Sequence, residues 1–272
     1  MHKIGMPVLM EFQTIQENID FAVKYQFEFI ELNMNFLYCY PNEDIRNILI
    51  QANKKYNLEF SFHYYDNVDI SSPNNNYITY LKQDLHLIGE TFKDIIHKIV
   101  LHIEPGSFMT IFSEKHYVYK YDANYVERTI KNLTEFKNIL DSYDIEIVLE
   151  NVPIHPFMGP LFKALGQHNF SFTWDIGHDV IYDHYLFSSF RKKYKLNIKH
   201  MHMHNVLGQI DHQRLSLGKL HIKEYLKYVM KNNLSCVLEV KDKDNLIDSK
   251  KFIDFLYSSI DQNNLHPHII TP

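Results

Sequence analysis

Short apolar runs and longer amphipathic stretches alternate from one end of the chain to the other. Runs rich in Ile, Val, Phe and Leu predict strands at Ile4–Leu9, Phe27–Asn33, Glu59–Tyr64, Lys98–Ile103, Glu146–Asn151, Ser171–Ile176, Ile198–His204 and Ser235–Val240. Among the stretches between them, helices are predicted at Glu43–Tyr56, Tyr77–Phe92, Asn124–Ser142, Ile222–Lys231 and Ser249–Asp261. In Asn124–Ser142 the apolar residues Val126, Ile130, Leu133, Phe136 and Leu140 recur at the spacing of one helix face. Eight strand–helix units with no linker or low-complexity tract between them predict one domain, residues 1–272, folded as a single (β/α)8 TIM barrel. An open doubly wound sheet is the alternative, weakened by the lack of a Gly-rich phosphate loop after the first strand. The tail Asn263–Pro272 carries no clear element and is expected to be irregular.

The polar residues that interrupt this pattern fall at one end of the strands. The third strand ends in Ser61-Phe62-His63 and the fourth in Leu101-His102, while the fifth ends in Leu149-Glu150-Asn151. The sixth ends in Trp174-Asp175-Ile176-Gly177-His178, the seventh carries His200-Met201-His202-Met203-His204, and the eighth ends in Leu238-Glu239-Val240. In a parallel barrel the reactive groups come from the C-terminal strand ends and the loops that follow. A buried charge or imidazole needs a partner, so six successive strands ending this way should share contacts or a metal. Carboxylates and imidazoles together suit Zn, Mn, Co or Mg. A lone His63 or His102 reads as a hydrogen-bonded core residue, and a lone Glu31 as an edge or salt-bridged one; the concentration at one barrel end reverses that reading for the set. Strand alternation places His200, His202 and His204 on one face, with His200 deepest and His204 nearest the loop, so His202 is the metal candidate.

Composition narrows the setting. The 272 residues suit one barrel, and 45% hydrophobic with 22% charged residues suit a large buried core. The N-terminus does not read as a signal peptide, and no apolar run is long enough to span a bilayer. Two cysteines, Cys39 and Cys236, form no disulfide framework, so a cytoplasmic setting without membrane association is expected. The net charge of −5 and the short basic runs make nucleic acid the less favoured partner. Aromatic residues in Phe36–Tyr40 and at Tyr64-Tyr65 are candidates for a substrate wall, and exposed apolar loops would suit a homodimer.

The order of these motifs, with His202-Met203-His204-Asn205 followed by Gly208, Asp211 and Leu217-Gly218, resembles the xylose isomerase-like TIM barrel superfamily. That group includes sugar isomerases, ketose 3-epimerases, sugar-phosphate isomerase/epimerase homologues and the endonuclease IV branch. The resemblance runs from His63 to Glu239. It implies Glu150, Asp175, His202 and Glu239 as ligands of a divalent metal ion, and His63 and His102, with Glu150, as holders of a second one. It also implies a substrate contact, or a further zinc, at His178. Counting back from Gly218, Arg214 stands where the nuclease pattern has a His and resembles the substrate-contacting Arg of the epimerases. A guanidinium cannot ligate zinc, although Asp211 or His212 could substitute through a shifted loop. His178, His204 and Arg214 are therefore the substrate-binding candidates.

Two chemistries follow. The favoured one is isomerisation or epimerisation of a small sugar or sugar phosphate through an enediolate, with Glu150 and Glu239 as the proton-transferring pair and one metal. The acidic balance and Arg214 favour it. The alternative is endonuclease IV-like, zinc-dependent hydrolysis of abasic DNA with two or three ions, to which His63 and His102 point. A barrel that binds metal or ligand without turnover is the remaining class.

Overall fold

The computed structural model describes residues 2–182 and 184–265. Eight strands, β1 (Lys3–Pro7), β2 (Phe29–Asn33), β3 (Glu59–His63), β4 (Ile96–His102), β5 (Glu146–Glu150), β6 (Ser171–Asp175), β7 (Asn197–Met203) and β8 (Ser235–Leu238), pair in parallel and in chain order. The ring closes where β1 pairs with both β2 and β8, so the expected TIM barrel is the observed fold. These strands are Ile-, Val- and Phe-rich and buried on both faces, as a parallel sheet covered by helices requires.

The crossovers are α1 (Ile15–Lys24), α2 (Glu43–Tyr56), α3 (Asn75–Phe92), α4 (Tyr125–Asp141), α5 (Gly159–Gln167), the pair α6 (Ile176–Ile181) and α7 (Leu186–Tyr194), α8 (Ile222–Asn232) and α9 (Lys243–Leu265). Their starts are set by local chemistry. Thr14 and Glu17 form a reciprocal capping box at α1, and the Asn42 side chain accepts from the Ile45 N–H at α2. At the other end of α2, Asn57 in the left-handed conformation stops the helix. None of the described helices is long and apolar enough to cross a membrane.

The strand predictions differ from the observed bounds by one or two residues, mostly where an apolar residue continues past the last ladder bond. Two antiparallel hairpins at the C-terminal mouth were not expected: Phe108–Ile111 with Glu114–Tyr117 after β4, and Asn205–Leu207 with Ile210–Gln213 after β7. Their residues are mostly exposed or half-buried, so no apolar alternation marks them. The last helix starts at Lys243 rather than Ser249 and includes 263–265, where an irregular tail was expected; residues 266–272 lie outside the described residues.

Register places the chemistry. His102 lies beside Glu150 across β4 and β5, Asp175 beside His202 across β6 and β7, and Val237 beside His202 across β7 and β8. Asn33 and His63 are level across β2 and β3, as are Glu31 and Ser61. Side chains from neighbouring strands thus reach the same height in the barrel.

Candidate metal centre

Glu150, at the end of β5, is fully buried and sits at the centre of the cluster. Its Oε1 lies 3.0 Å from His202 Nδ1 and 3.8 Å from His178 Nδ1. Its Oε2 lies 3.2 Å from His63 Nε2 and 3.4 Å from His102 Nε2. Glu239 approaches from β8, with Oε2 3.3 Å from His202 Nδ1. One ligand atom from each of Glu150, Asp175, His202 and Glu239 falls within a 4.8 Å group. The four metal candidates are therefore brought together.

The motif residues around them build the scaffold. Asn151 locks the ends of β5 and β6: its Oδ1 accepts from the Asp175 N–H at 2.8 Å, and its Nδ2 donates to the Asp175 carbonyl at 2.9 Å. Asp175 caps α6 by accepting the His178 N–H at 2.6 Å, which brings His178 back over the barrel. Asn205 holds the loop after β7, accepting from the Val206 and Leu220 N–H groups at 2.8 and 3.0 Å and donating to the Leu215 carbonyl at 2.9 Å. A Cβ at Gly218 would lie 2.2 Å from Asn205 Oδ1, which is why that loop needs glycine.

Burial pushes the Glu150 carboxyl up, but the His202 and His102 imidazoles outweigh it and hold Glu150 well below the usual carboxylate range. His202 is the reciprocal case: burial disfavours its charge, and Glu150, Glu31 and Glu239 raise it well above an ordinary imidazole. His102 is likewise raised to about 10, because Glu104 and Glu150 overcome burial. His178 goes the other way, lowered chiefly by burial.

The donor set fits a divalent cation. Asp175 Oδ2, Glu239 Oε2, His178 Nδ1 and His212 Nε2 are buried without an aligned hydrogen-bond partner, an expensive arrangement for polar atoms. Hard oxygen and imidazole donors without thiolate suit Zn, Mn or Co. Two further groups flank the four: His63, Asp66 and His102 on one side, and His178, His204 and His212 on the other, the first linked through His63 to Glu150 and His202.

His63, His102, His178 and His204 thus join the cluster, but Arg214 does not. Its guanidinium is half-exposed and faces Asp248 at 3.9 Å. His212 points inward instead, its ring stacked on His204 at 4.2 Å between centroids and its N–H donating to His204 Nδ1 at 2.8 Å. Counting back from Gly218 assumes an even strand; the hairpin has a register shift between Asn205 and Leu207, and His212 takes φ of 50°. These features re-aim the side chains. Sequence reasoning also missed Lys241, whose Nζ donates to Glu239 Oε1 at 2.5 Å, and gave Glu31 no role in the site.

A cavity of about 470 Å³ opens onto the cluster, lined among others by Phe36, Asn33, Asn35, Asp66, Glu239 and Lys241. Phe36 is the aromatic candidate that reaches it; Tyr64 is buried and hydrogen-bonded to Asp84.

No protein-family model matches the sequence. An uncharacterised protein of Methanocaldococcus jannaschii is 28% identical over 151 residues, covering 50% of this chain and 57% of that protein, so the match spans little more than half the relative's length. Among solved structures, a D-tagatose 3-epimerase-like protein aligns with a TM-score of 0.78 at 17% identity, covering 96% of this chain and 99% of its own. D-Psicose 3-epimerase from Clostridium cellulolyticum H10 aligns with a TM-score of 0.68 at 14% identity, covering 94% and 98%. A xylose isomerase domain containing protein from Salmonella typhimurium LT2 aligns with a TM-score of 0.62 at 11% identity, covering 97% of each chain. The chain has the fold of the xylose isomerase-like TIM barrels.

Proposed function

We propose that this single-domain chain is a divalent-metal-dependent isomerase or epimerase of a small sugar or sugar phosphate. The observation that carries the reading is the mouth of the barrel. Its cavity has the size of a small-molecule site and presents amides, carboxylates and one ammonium, from Asn33, Asn35, Asp66, Glu239 and Lys241, to a ligand rich in hydroxyls. The similarity in fold to a D-tagatose 3-epimerase-like protein and a D-psicose 3-epimerase supports the same class.

Glu150, Asp175, His202 and Glu239 would hold the cation. When bound, it would polarise the substrate's carbonyl and neighbouring hydroxyl oxygens. Glu150 and Glu239 approach from different strands and would face opposite sides of the substrate. One carboxylate takes the proton from the carbon beside the carbonyl, leaving an enediolate. The other, protonated at the start, delivers a proton to the opposite face in epimerisation, or to the former carbonyl carbon in isomerisation, where the neighbouring hydroxyl's proton also passes to the former carbonyl oxygen; proton exchange with solvent then restores both carboxylates. Arg214 contributes nothing to this reading, and His178, with His204 and His212 behind it, is the group placed to bind a hydroxyl.

A second reading rests on a specific observation: His63 and His102 meet Glu150 Oε2 at 3.2 and 3.4 Å, a ready second donor group beside the first. It points to zinc-dependent phosphodiester hydrolysis at an abasic site, with two or three ions. Elemental analysis of purified protein separates the two. The sugar reading expects one exchangeable ion per chain and incorporation of solvent deuterium beside the carbonyl of a ketose or its phosphate. Two or three tightly held zinc ions, with incision of an abasic duplex that disappears in Glu150→Gln, would overturn it.

A further inference from the structure

Below the metal candidates, inside the barrel, lies a buried polar chain that the proposed chemistry does not use. Glu31 projects from β2 and is 2% exposed. Its Oε2 accepts from Ser61 Oγ at 2.9 Å and lies 3.2 Å from His200 Nε2. Its Oε1 lies 2.9 Å from His202 Nε2, close but off the line of an ideal hydrogen bond. The other nitrogen of His200 meets Ser235 Oγ at 2.6 Å, and the same hydroxyl lies 2.6 Å from Lys98 Nζ.

The direction of this chain can be assigned from its ends. An ammonium only donates, so Lys98 donates to Ser235 Oγ. The Ser235 hydroxyl then gives its own proton to His200 Nδ1, which leaves the His200 proton on Nε2, aimed at Glu31. An ionised carboxylate only accepts, so Glu31 receives from Ser61 and from His200, while its Oε1 faces His202 Nε2 at 2.9 Å. His202 Nδ1 is hydrogen-bonded to Glu150 Oε1 at 3.0 Å, and a cation taken up at that nitrogen needs its lone pair, which leaves the ring's proton on Nε2, facing Glu31. With the proton on Nε2 facing Glu31, the lone pair is left on Nδ1, the nitrogen 3.0 Å from Glu150 and 3.3 Å from Glu239.

We propose that Glu31 is a positioning residue that holds His202 as its Nε2–H tautomer, so that Nδ1 is presented to a divalent cation among Glu150, Asp175 and Glu239. The inference rests on the four-ligand centre proposed above. A carboxylate behind a ligating imidazole fixes the orientation of the ring and raises its basicity, and removing such a partner typically weakens metal affinity about 10–100-fold. Glu31→Gln is the informative change. An amide keeps the volume but can turn its NH2 towards His202 Nε2, which moves the imidazole proton to Nδ1 and blocks the ligating nitrogen.

The test is Co²⁺ binding measured by competition with a chromophoric chelator and by visible d–d absorption, on wild type and folded Glu31→Gln. The expected result is a Kd raised about 10–100-fold with an altered d–d band. Wild-type binding with a Glu31→Gln Kd and spectrum unchanged would overturn the inference alone. No cation binding by wild type would overturn the metal-dependent reading and this inference with it. Should Glu31→Gln not fold, ¹⁵N-histidine spectra of the wild type with Zn²⁺ decide the point, with His202 assigned by its loss in His202→Asn. A protonated Nε2 on His202 supports the proposal, and a protonated Nδ1 refutes it.

Discussion

Gly177, in the first turn of α6, offers a clean steric test of the site. A Cβ there would lie 2.0 Å from His204 Cε1, 2.4 Å from Nδ1 and 2.5 Å from Nε2. In Gly177→Ala the ring must retreat by about 1.4 Å to restore the 3.4 Å of ordinary contact. It has little room: its other face stacks on His212, its Nδ1 accepts the His212 N–H, and its Nε2 lies 3.2 Å from Asp175. Overpacking of this kind costs about 1–3 kcal/mol, and the strained hydrogen bond adds about 1 kcal/mol. Alanine returns up to about 1 kcal/mol through its better helix propensity. The net loss is about 1–3 kcal/mol, which for a chain of this size lowers Tm by roughly 2–12 °C. Thermal unfolding followed by far-ultraviolet circular dichroism measures it. Gly208→Ala is the control, because nothing lies within 4 Å of its added methyl and only its positive φ of 64° opposes it. A Gly177→Ala protein as stable as wild type would refute the packing around His204.

Three further outcomes are expected. Arg214→Ala should change stability by less than about 0.5 kcal/mol and leave cation content untouched, since its guanidinium is half-exposed and 3.9 Å from Asp248; a change in cation content by elemental analysis would place Arg214 in the centre after all. Cation affinity should rise with pH and binding should release protons, because Glu150, Glu31 and Glu239 raise the proton affinity of His202, which must lose that proton to ligate; calorimetry in buffers of different ionisation enthalpy checks this, and pH-independent binding refutes it. Burial raises the Cys39 and Cys236 thiols from 9.0 to about 12, so between those limits the unfolded chain has lost the thiol proton that the folded chain keeps. Each thiol's contribution to stability is intact below pH 9 and declines above it by at most about 1.4 kcal/mol per pH unit. Denaturant titrations of the double Cys→Ala variant should show a shallower alkaline decline than wild type.

The barrel was legible because its signal is repeated. Eight apolar runs at similar spacing, each followed by an amphipathic stretch, support one another even when any one boundary is off by two residues. The Phe108–Ile111 and Glu114–Tyr117 hairpin gave no such signal. Phe108, Met109, Ile111 and Phe112 are apolar, yet all are exposed, and the two strands of the hairpin pair only with each other. Antiparallel strands with no covered face have no periodicity to detect.

The candidate site was legible where a residue's position along its strand fixes its height in the barrel. Glu150, Asp175, His202 and Glu239 sit at strand ends, and parallel register carries them to one level. Two kinds of residue escape this logic. His212 and Arg214 lie on a hairpin with a shifted register and a left-handed residue, so counting from Gly218 chose the wrong side chain to aim inward. Glu31 escaped for the opposite reason. It lies in mid-strand, two positions before the end of β2, where an acid on its own reads as a structural salt bridge. Only the closed ring sets β2 against β7 across the interior, bringing Glu31 to His200 and His202, separated from it by 169 residues in the first case. A buried carboxylate in the second layer of a barrel is thus ambiguous in sequence for a physical reason. Its histidine partners lie on β7, three strands away round the ring, and neither strand alternation nor nearest-neighbour register specifies that pairing.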